Sequence, residues 1–187
     1  MKALLDANVL YPTILREILI CAARAGLFVP VWSDRILEEW ARATVKLGPG
    51  AEIVARGEIA MLRSAFPKAS VVPTEGLMAR LWLPDPNDIH VLAAAIVAGV
   101  DLIVTSNAQD FPRNILAEEH LDRRDPDQFL MTLLERDRVA VLSVVEQVRA
   151  EAERLSGVEQ PRRALLKRAG LPRLAKALER GNNANSD

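Results

Sequence analysis

The sequence predicts an α/β protein built on a parallel sheet, and three observations carry that reading. Short apolar runs alternate with stretches of helical periodicity through the first 120 residues. The clearest helical stretches open on a capping residue or proline and close on glycine, as at Pro12 and Gly26 or Asp85-Pro86 and Gly99. Beyond Asp125 every signal is helical, with starts at Asp125-Pro126, Asp137 and Pro161 and stops at Gly157 and Gly170.

In chain order, residues 2–5 form an apolar run that ends in Asp6, the pattern of a buried first strand. Ile14, Leu15, Ile18, Leu19 and Ala22 then recur at helical spacing. Residues 27–32 are a second apolar strand. Ser33 or Asp34 caps a helix carrying Ile36, Leu37, Trp40 and Leu47, which stops near Gly48-Pro49-Gly50. A further helix spans about 51–66, and a third strand 69–72. Asp85-Pro86-Asn87-Asp88 starts a helix with Ile89, Leu92, Ala93, Ile96 and Val97 on its apolar face. Residues 101–105 are a fourth strand, and 114–116 read as a short fifth. The division is residues 1–120 and 121–187, and the only low-complexity stretch is the polar tail 181–187.

Half of the 187 residues are apolar and 26% are charged, which excludes a wholly disordered chain. No apolar run reaches the length of a membrane span. Asp6 follows the start too closely for a signal peptide, and the single Cys21 forms no internal disulfide, so a reducing cytoplasm is the expected compartment. Cys21 lies on an apolar helix face and reads as core. Net charge is −1, but the residues after Gln160 hold seven basic against two acidic side chains, either a phosphate-binding face or the solvated side of an amphipathic pair.

Ligands of a parallel sheet bind outside the carboxyl ends of its strands. Asp6 and Asn8 follow the first strand; Thr105, Ser106, Asn107 and Asp110 follow the fourth. On a wheel of ~100° per residue, Glu39 sits ~100° from the apolar stripe of its helix and Glu38 ~160° away, so Glu39 borders the core and Glu38 faces solvent. Asp88 flanks its helix in the same way, whereas Asp85 reads as a cap. Carboxylates gathered with few basic neighbours repel one another unless a cation joins them. Oxygen donors without Cys or His select Mg²⁺ or Mn²⁺, which neutralises phosphodiester charge and activates water. His90 and His120 are isolated, and no nucleophile elbow or glycine-rich phosphate loop is present.

Four segments, in order, are Leu4-Leu5-Asp6-Ala7-Asn8-Val9-Leu10, Leu37-Glu38-Glu39-Trp40, Asp85-Pro86-Asn87-Asp88 with Leu92-Ala93-Ala94-Ala95, and Val104-Thr105-Ser106-Asn107-Ala108-Gln109-Asp110-Phe111-Pro112. Over residues 1–118 this set resembles the PIN-domain family, and within it the VapC-like ribonuclease toxins of toxin–antitoxin modules. Residues 125–180 are similar to a helical extension in one branch. The resemblance implies a three-layer α/β/α fold with a five-stranded parallel sheet and Mg²⁺- or Mn²⁺-dependent cleavage of RNA to 5′-phosphate and 3′-hydroxyl ends. It also implies inhibition by a protein antitoxin and a tendency to form homodimers. Carried over by position, the ligating acids fall on Asp6, Glu39 and Asp88, with Asn107 or Asp110 completing the set. Asn107 stands where the wider family often has Asp, which leaves one metal or two open and admits a rival reading, a binding module whose nuclease activity has decayed. A phosphatase using Asp6 as nucleophile is a further rival, weakened by Asn at position 8 where that pattern wants Asp.

Overall fold

The computed structural model describes residues 1–180; the polar tail 181–187 lies outside the described residues. The described chain groups into two compact units that interleave along the sequence: Met1–Tyr11 with Phe28–Arg124, and Pro12–Leu27 with the segment from Asp125 onward. A single boundary at residue 120 does not anticipate this, because the first long helix groups with the C-terminal ones.

The first unit holds β1 (Lys2–Leu5), the short α1 (Ala7–Leu10), β2 (Val29–Ser33), α3 (Asp34–Ala43), α4 (Ala51–Ala65), β3 (Ser70–Val71), α5 (Glu75–Arg80), α6 (Ile89–Ala98), β4 (Leu102–Val104), α7 (Arg113–Glu118) and β5 (Asp122–Arg124); α2 (Thr13–Arg24) belongs to the second unit. The five strands form one sheet in the order β3-β2-β1-β4-β5, with every pairing parallel. This is the α/β fold that the alternating pattern predicts. From β1 the chain builds outward to β2 and β3, then returns to the other side of β1 for β4. The order therefore reverses between β1 and β4, and the crevice at their carboxyl ends is the expected ligand position.

Leu4, Leu5, Ile103 and Val104 of the central strands are fully buried, and residues 91–95 of α6 are buried on every side. Trp32 closes the core under α4, its ring edge-on to Phe66 with centroids 5.9 Å apart. Ser33 caps α3 by accepting from the Ile36 amide at 3.2 Å, as its position before the apolar stripe requires.

The fifth strand is a correction. Residues 114–116 belong to α7, and the strand that pairs with β4 is Asp122–Arg124. Only Leu116 of the apolar pair at 115–116 is fully buried, which suits a short helix resting one side on the core. The true strand is a half-buried edge of Asp and two Arg, a composition that protects an edge but carries no apolar signal.

The second unit comprises α2, α8 (Pro126–Arg136), α9 (Arg138–Ser156), α10 (Arg162–Arg168) and α11 (Pro172–Arg180). Asp125 and Asp137 cap α8 and α9 as their positions predict. Leu165, Leu166, Leu171, Leu174 and Leu178 are buried. Asp127, itself buried, accepts from the Arg173 and Leu174 amides at 2.7 and 3.0 Å and so caps α11 from α8. Of the basic residues after Gln160, Arg162 pairs with Glu146 and Arg163 with Glu179. Cys21 is buried, and that burial pushes its thiol pKa up.

Candidate acid centre

Asp6 is placed by β1, whose register beside β4 brings residue 6 level with residue 105. The Asp6 amide donates to the Val104 carbonyl at 3.1 Å, and the Asp6 side chain caps α1. Asp6 is 5% exposed and its carboxylate accepts three hydrogen bonds: Oδ1 from the Ala7 amide at 2.7 Å, and Oδ2 from Asn8 Nδ2 and from Thr105 Oγ1, the latter at 2.7 Å. Burial raises the Asp6 pKa, opposed by the Thr105 and Ala7 hydrogen bonds, and nearby Glu39 raises it further.

Thr105 joins the two strand ends. Its hydroxyl oxygen also accepts from Asn8 Nδ2 and from the Asn107 amide, both at 3.0 Å. Asn8 Oδ1 in turn accepts from the Ser106 amide at 2.9 Å, so the polar turn after β4 is held against the loop after β1. Ser106 contributes its backbone to this network. Asn107 donates through Nδ2 to Asp110 Oδ2, which orients that carboxylate.

Asp85 caps a 3-10 turn over Pro86–Asp88 by accepting from the Asn87 amide at 2.8 Å. The cap expected of Asp85 is present, and the residue has a second relationship. One oxygen from each of Asp85, Asp88 and Asp110 lies within 4.8 Å of the others, the one such cluster among the described residues. Burial raises the Asp88 pKa to about 6, assisted by the charges of Asp6, Asp85 and Asp110. Hard carboxylate oxygens at this spacing fit a divalent cation, which would offset both the burial of the Asp88 charge and its repulsion by the other acids.

Glu39 and Asp6 stand outside that trio, although the Glu39 charge acts on Asp6 and the Asp6 charge on Asp88. Glu39 reaches the buried His90: Arg35 Nε donates to its Oε1 at 3.1 Å, and His90 Nε2 lies 2.9 Å from the same oxygen. Burial would raise the Glu39 pKa, but His90 and Arg35 outweigh it and hold the group below its ordinary value. Glu38 faces outward into an ion cluster with Arg42 and Arg56 that lowers its pKa to about 2. His90, isolated in sequence, is 2% exposed and faces Glu39, a partner 51 positions away that no local pattern reveals. Arg35 was equally unmarked; its Nη2 also donates to the Asn87 carbonyl at 3.3 Å.

Comparison with curated proteins found no match, and comparison with solved structures found none. A family model described as PIN domain matches residues 2–109, which span β1 to the turn after β4 and include Asp6, Glu39, Asp85 and Asp88 but not Asp110. That match covers more than half of the chain, and with the parallel sheet and the acids at its carboxyl edge it makes this protein a member of the PIN domain family.

Proposed function

We propose that this protein is a Mg²⁺- or Mn²⁺-dependent endoribonuclease, the toxin of a toxin–antitoxin module. The observation that carries the reading is the gathering of Asp85, Asp88 and Asp110 beside Asp6, at the point where strand order reverses. Family membership supports a nuclease acting on phosphodiester bonds. Asp6, Asp88 and Asp110 would hold the ion directly or through water, with Asp85 beside them and Glu39 and Asn107 at the rim. When bound, a divalent ion neutralises phosphodiester charge and lowers the pKa of water.

The chain's own part is preorganisation. Asp6 is locked in one rotamer by three donors, so it presents a fixed carboxylate without reorganising during reaction. Asn107 fixes Asp110 in the same way. Arg35 and His90 hold Glu39 at the edge of the cluster. No helix of the described residues is long and apolar enough to cross a membrane, which accords with an enzyme of the cytoplasm. The resemblance to VapC-like toxins supports a protein antitoxin and a homodimer as partners.

The test is cleavage of end-labelled RNA by the purified chain in Mn²⁺ or Mg²⁺, arrested by EDTA and absent in Asp6→Asn. Cleavage that persists in EDTA, or in the variant, overturns the reading. RNA binding without cleavage under any divalent ion favours the decayed module, which the neutral Asn107 at an acid position supports.

A further inference from the structure

The chain has three tryptophans, and they are not alike. Trp32 and Trp40 are 0% exposed, while Trp82 is 66% exposed. Other apolar side chains of this surface are as exposed, among them Ile53 and Val72, but Trp82 is the one large aromatic ring among them and offers a flat face to solvent.

The surroundings of Trp82 give that face a use. Leu83 beside it is buried to 1% exposure and anchors the segment, and Pro84 and Pro86 stiffen the chain that follows. Three residues further on is Asp85, so the Cα atoms of Trp82 and Asp85 are at most ~11 Å apart. Asp85 and Asp88 belong to the acid cluster. At the far end of the same segment the Asn87 carbonyl holds Arg35, whose side chain is half exposed. An exposed indole therefore lies within three residues of the acids in the chain, and the half-exposed Arg35 is fastened to the far end of the same segment. Single-stranded nucleic acid is gripped by such a combination, bases stacking on an aromatic face while cations track the backbone.

We propose that Trp82 is a base-stacking subsite, which takes the unpaired base of a nucleotide adjoining the phosphate at the acid cluster. This rests on the ribonuclease reading and adds to it a requirement for single-stranded substrate on that side of the site. Stacking is tolerant of base identity, so the subsite selects for an unpaired base rather than for a sequence.

The experiment uses the full chain. Iodide reaches an exposed indole and not the two buried ones, so the iodide-quenchable emission reports Trp82. Titration with a short unstructured RNA in Ca²⁺ should quench that emission and shield it from iodide, and the same sequence annealed to its complement should do so weakly. Trp82→Ala should weaken RNA binding roughly tenfold, with the loss in cleavage falling on KM, and Trp82→Phe should recover part of it. An emission indifferent to RNA, equal binding by Trp82→Ala and wild type, or equal losses in the Ala and Phe variants would overturn the proposal. So would an emission that shifts with protein concentration and not with RNA, which would assign Trp82 to a protein contact. The two readings fail separately: cleavage with an indifferent Trp82 removes only the subsite, whereas RNA quenching without cleavage removes only the nuclease.

Discussion

Thr105 Oγ1 donates to Asp6 Oδ2 at 2.7 Å and so ties the ends of two neighbouring strands through residues 99 positions apart. A hydroxyl offers one donor and two acceptor sites, and all three are used here, by Asp6, Asn8 and the Asn107 amide. Thr105→Val keeps the shape but takes one hydrogen bond from Asp6 and one from Asn8, and it leaves the Asn107 amide without its Thr105 acceptor. It should cost about 1–3 kcal/mol in chemical unfolding, while Thr105→Ser stays close to wild type. A Val variant as stable as wild type would show that the network contributes nothing.

Asp6→Asn should abolish cleavage with the fold intact. Two effects on stability oppose one another. Removing a charge disfavoured by burial and by Glu39 stabilises, whereas the new amide faces the Asn8 donor. The melting temperature of the metal-free variant should therefore stay near that of wild type. Undiminished cleavage would remove Asp6 from the site.

For Asp88 the direction with pH is opposite to that of a salt-bridged acid. Its carboxyl titrates near 3.8 when unfolded and at about 6 when folded, so between those values the folded chain binds more protons. Metal-free stability should fall as pH rises through that window and level off above it. Thermal melts in EDTA of wild type and Asp88→Asn should differ by a gap that changes across this window, and Mg²⁺ should restore wild-type stability above pH 6. Parallel melting curves for the two proteins would refute the assignment.

Asp85 combines a cap with a place in the acid cluster, and two substitutions separate the roles. Asn caps as well as Asp, so Asp85→Asn should retain stability and weaken Mn²⁺ binding, whereas Asp85→Ala should also lose about 1 kcal/mol. Calorimetric Mn²⁺ titration that does not distinguish Asp85→Asn from wild type would leave Asp85 a cap alone.

Glu39→Gln should reduce cleavage far more than Glu38→Gln. Glu38 is engaged by Arg42 and Arg56 on the surface, while Glu39 meets His90 at the core border. Rates measured side by side decide it; equal losses would refute the distinction.

The distinction between these neighbouring glutamates was legible because an amphipathic helix writes its buried face into residue spacing. So were β1, β2 and β4, whose apolar runs mark largely buried strands, the short edge strand β3, and the caps at Ser33, Asp85, Asp125 and Asp137. The edge strand β5 was hidden because its Asp-Arg-Arg composition answers to solvent rather than to the core. Helices α1 and α5 span four and six residues, too short to establish a period. Asp6 and Asp110 could be named from their places after strands and Asp88 from the flank of its helix, but the gathering of Asp88 and Asp110 with Asp85, which reads as a cap alone, depends on how a turn and a loop approach in space. The pairing of His90 with Glu39 has the same origin.

The interleaving of the two units has a consequence for the order in which the chain can fold as it is made. Helix α2 ends at Arg24, and α9, against which it packs, begins 114 positions later at Arg138. During synthesis from the amino terminus, the apolar face of α2, with Ile18, Leu19 and Ala22, waits without that partner while the whole sheet emerges. Closing so long a loop is slow and entropically costly, and the sheet is complete before it happens. The nascent protein thus passes through a stage in which β1 to β5 are available and one greasy helix is not yet housed. A chain stopped at Arg124 would be arrested at that stage and prone to stick to itself, and a fragment beginning at Asp125 would lack one of its own helices.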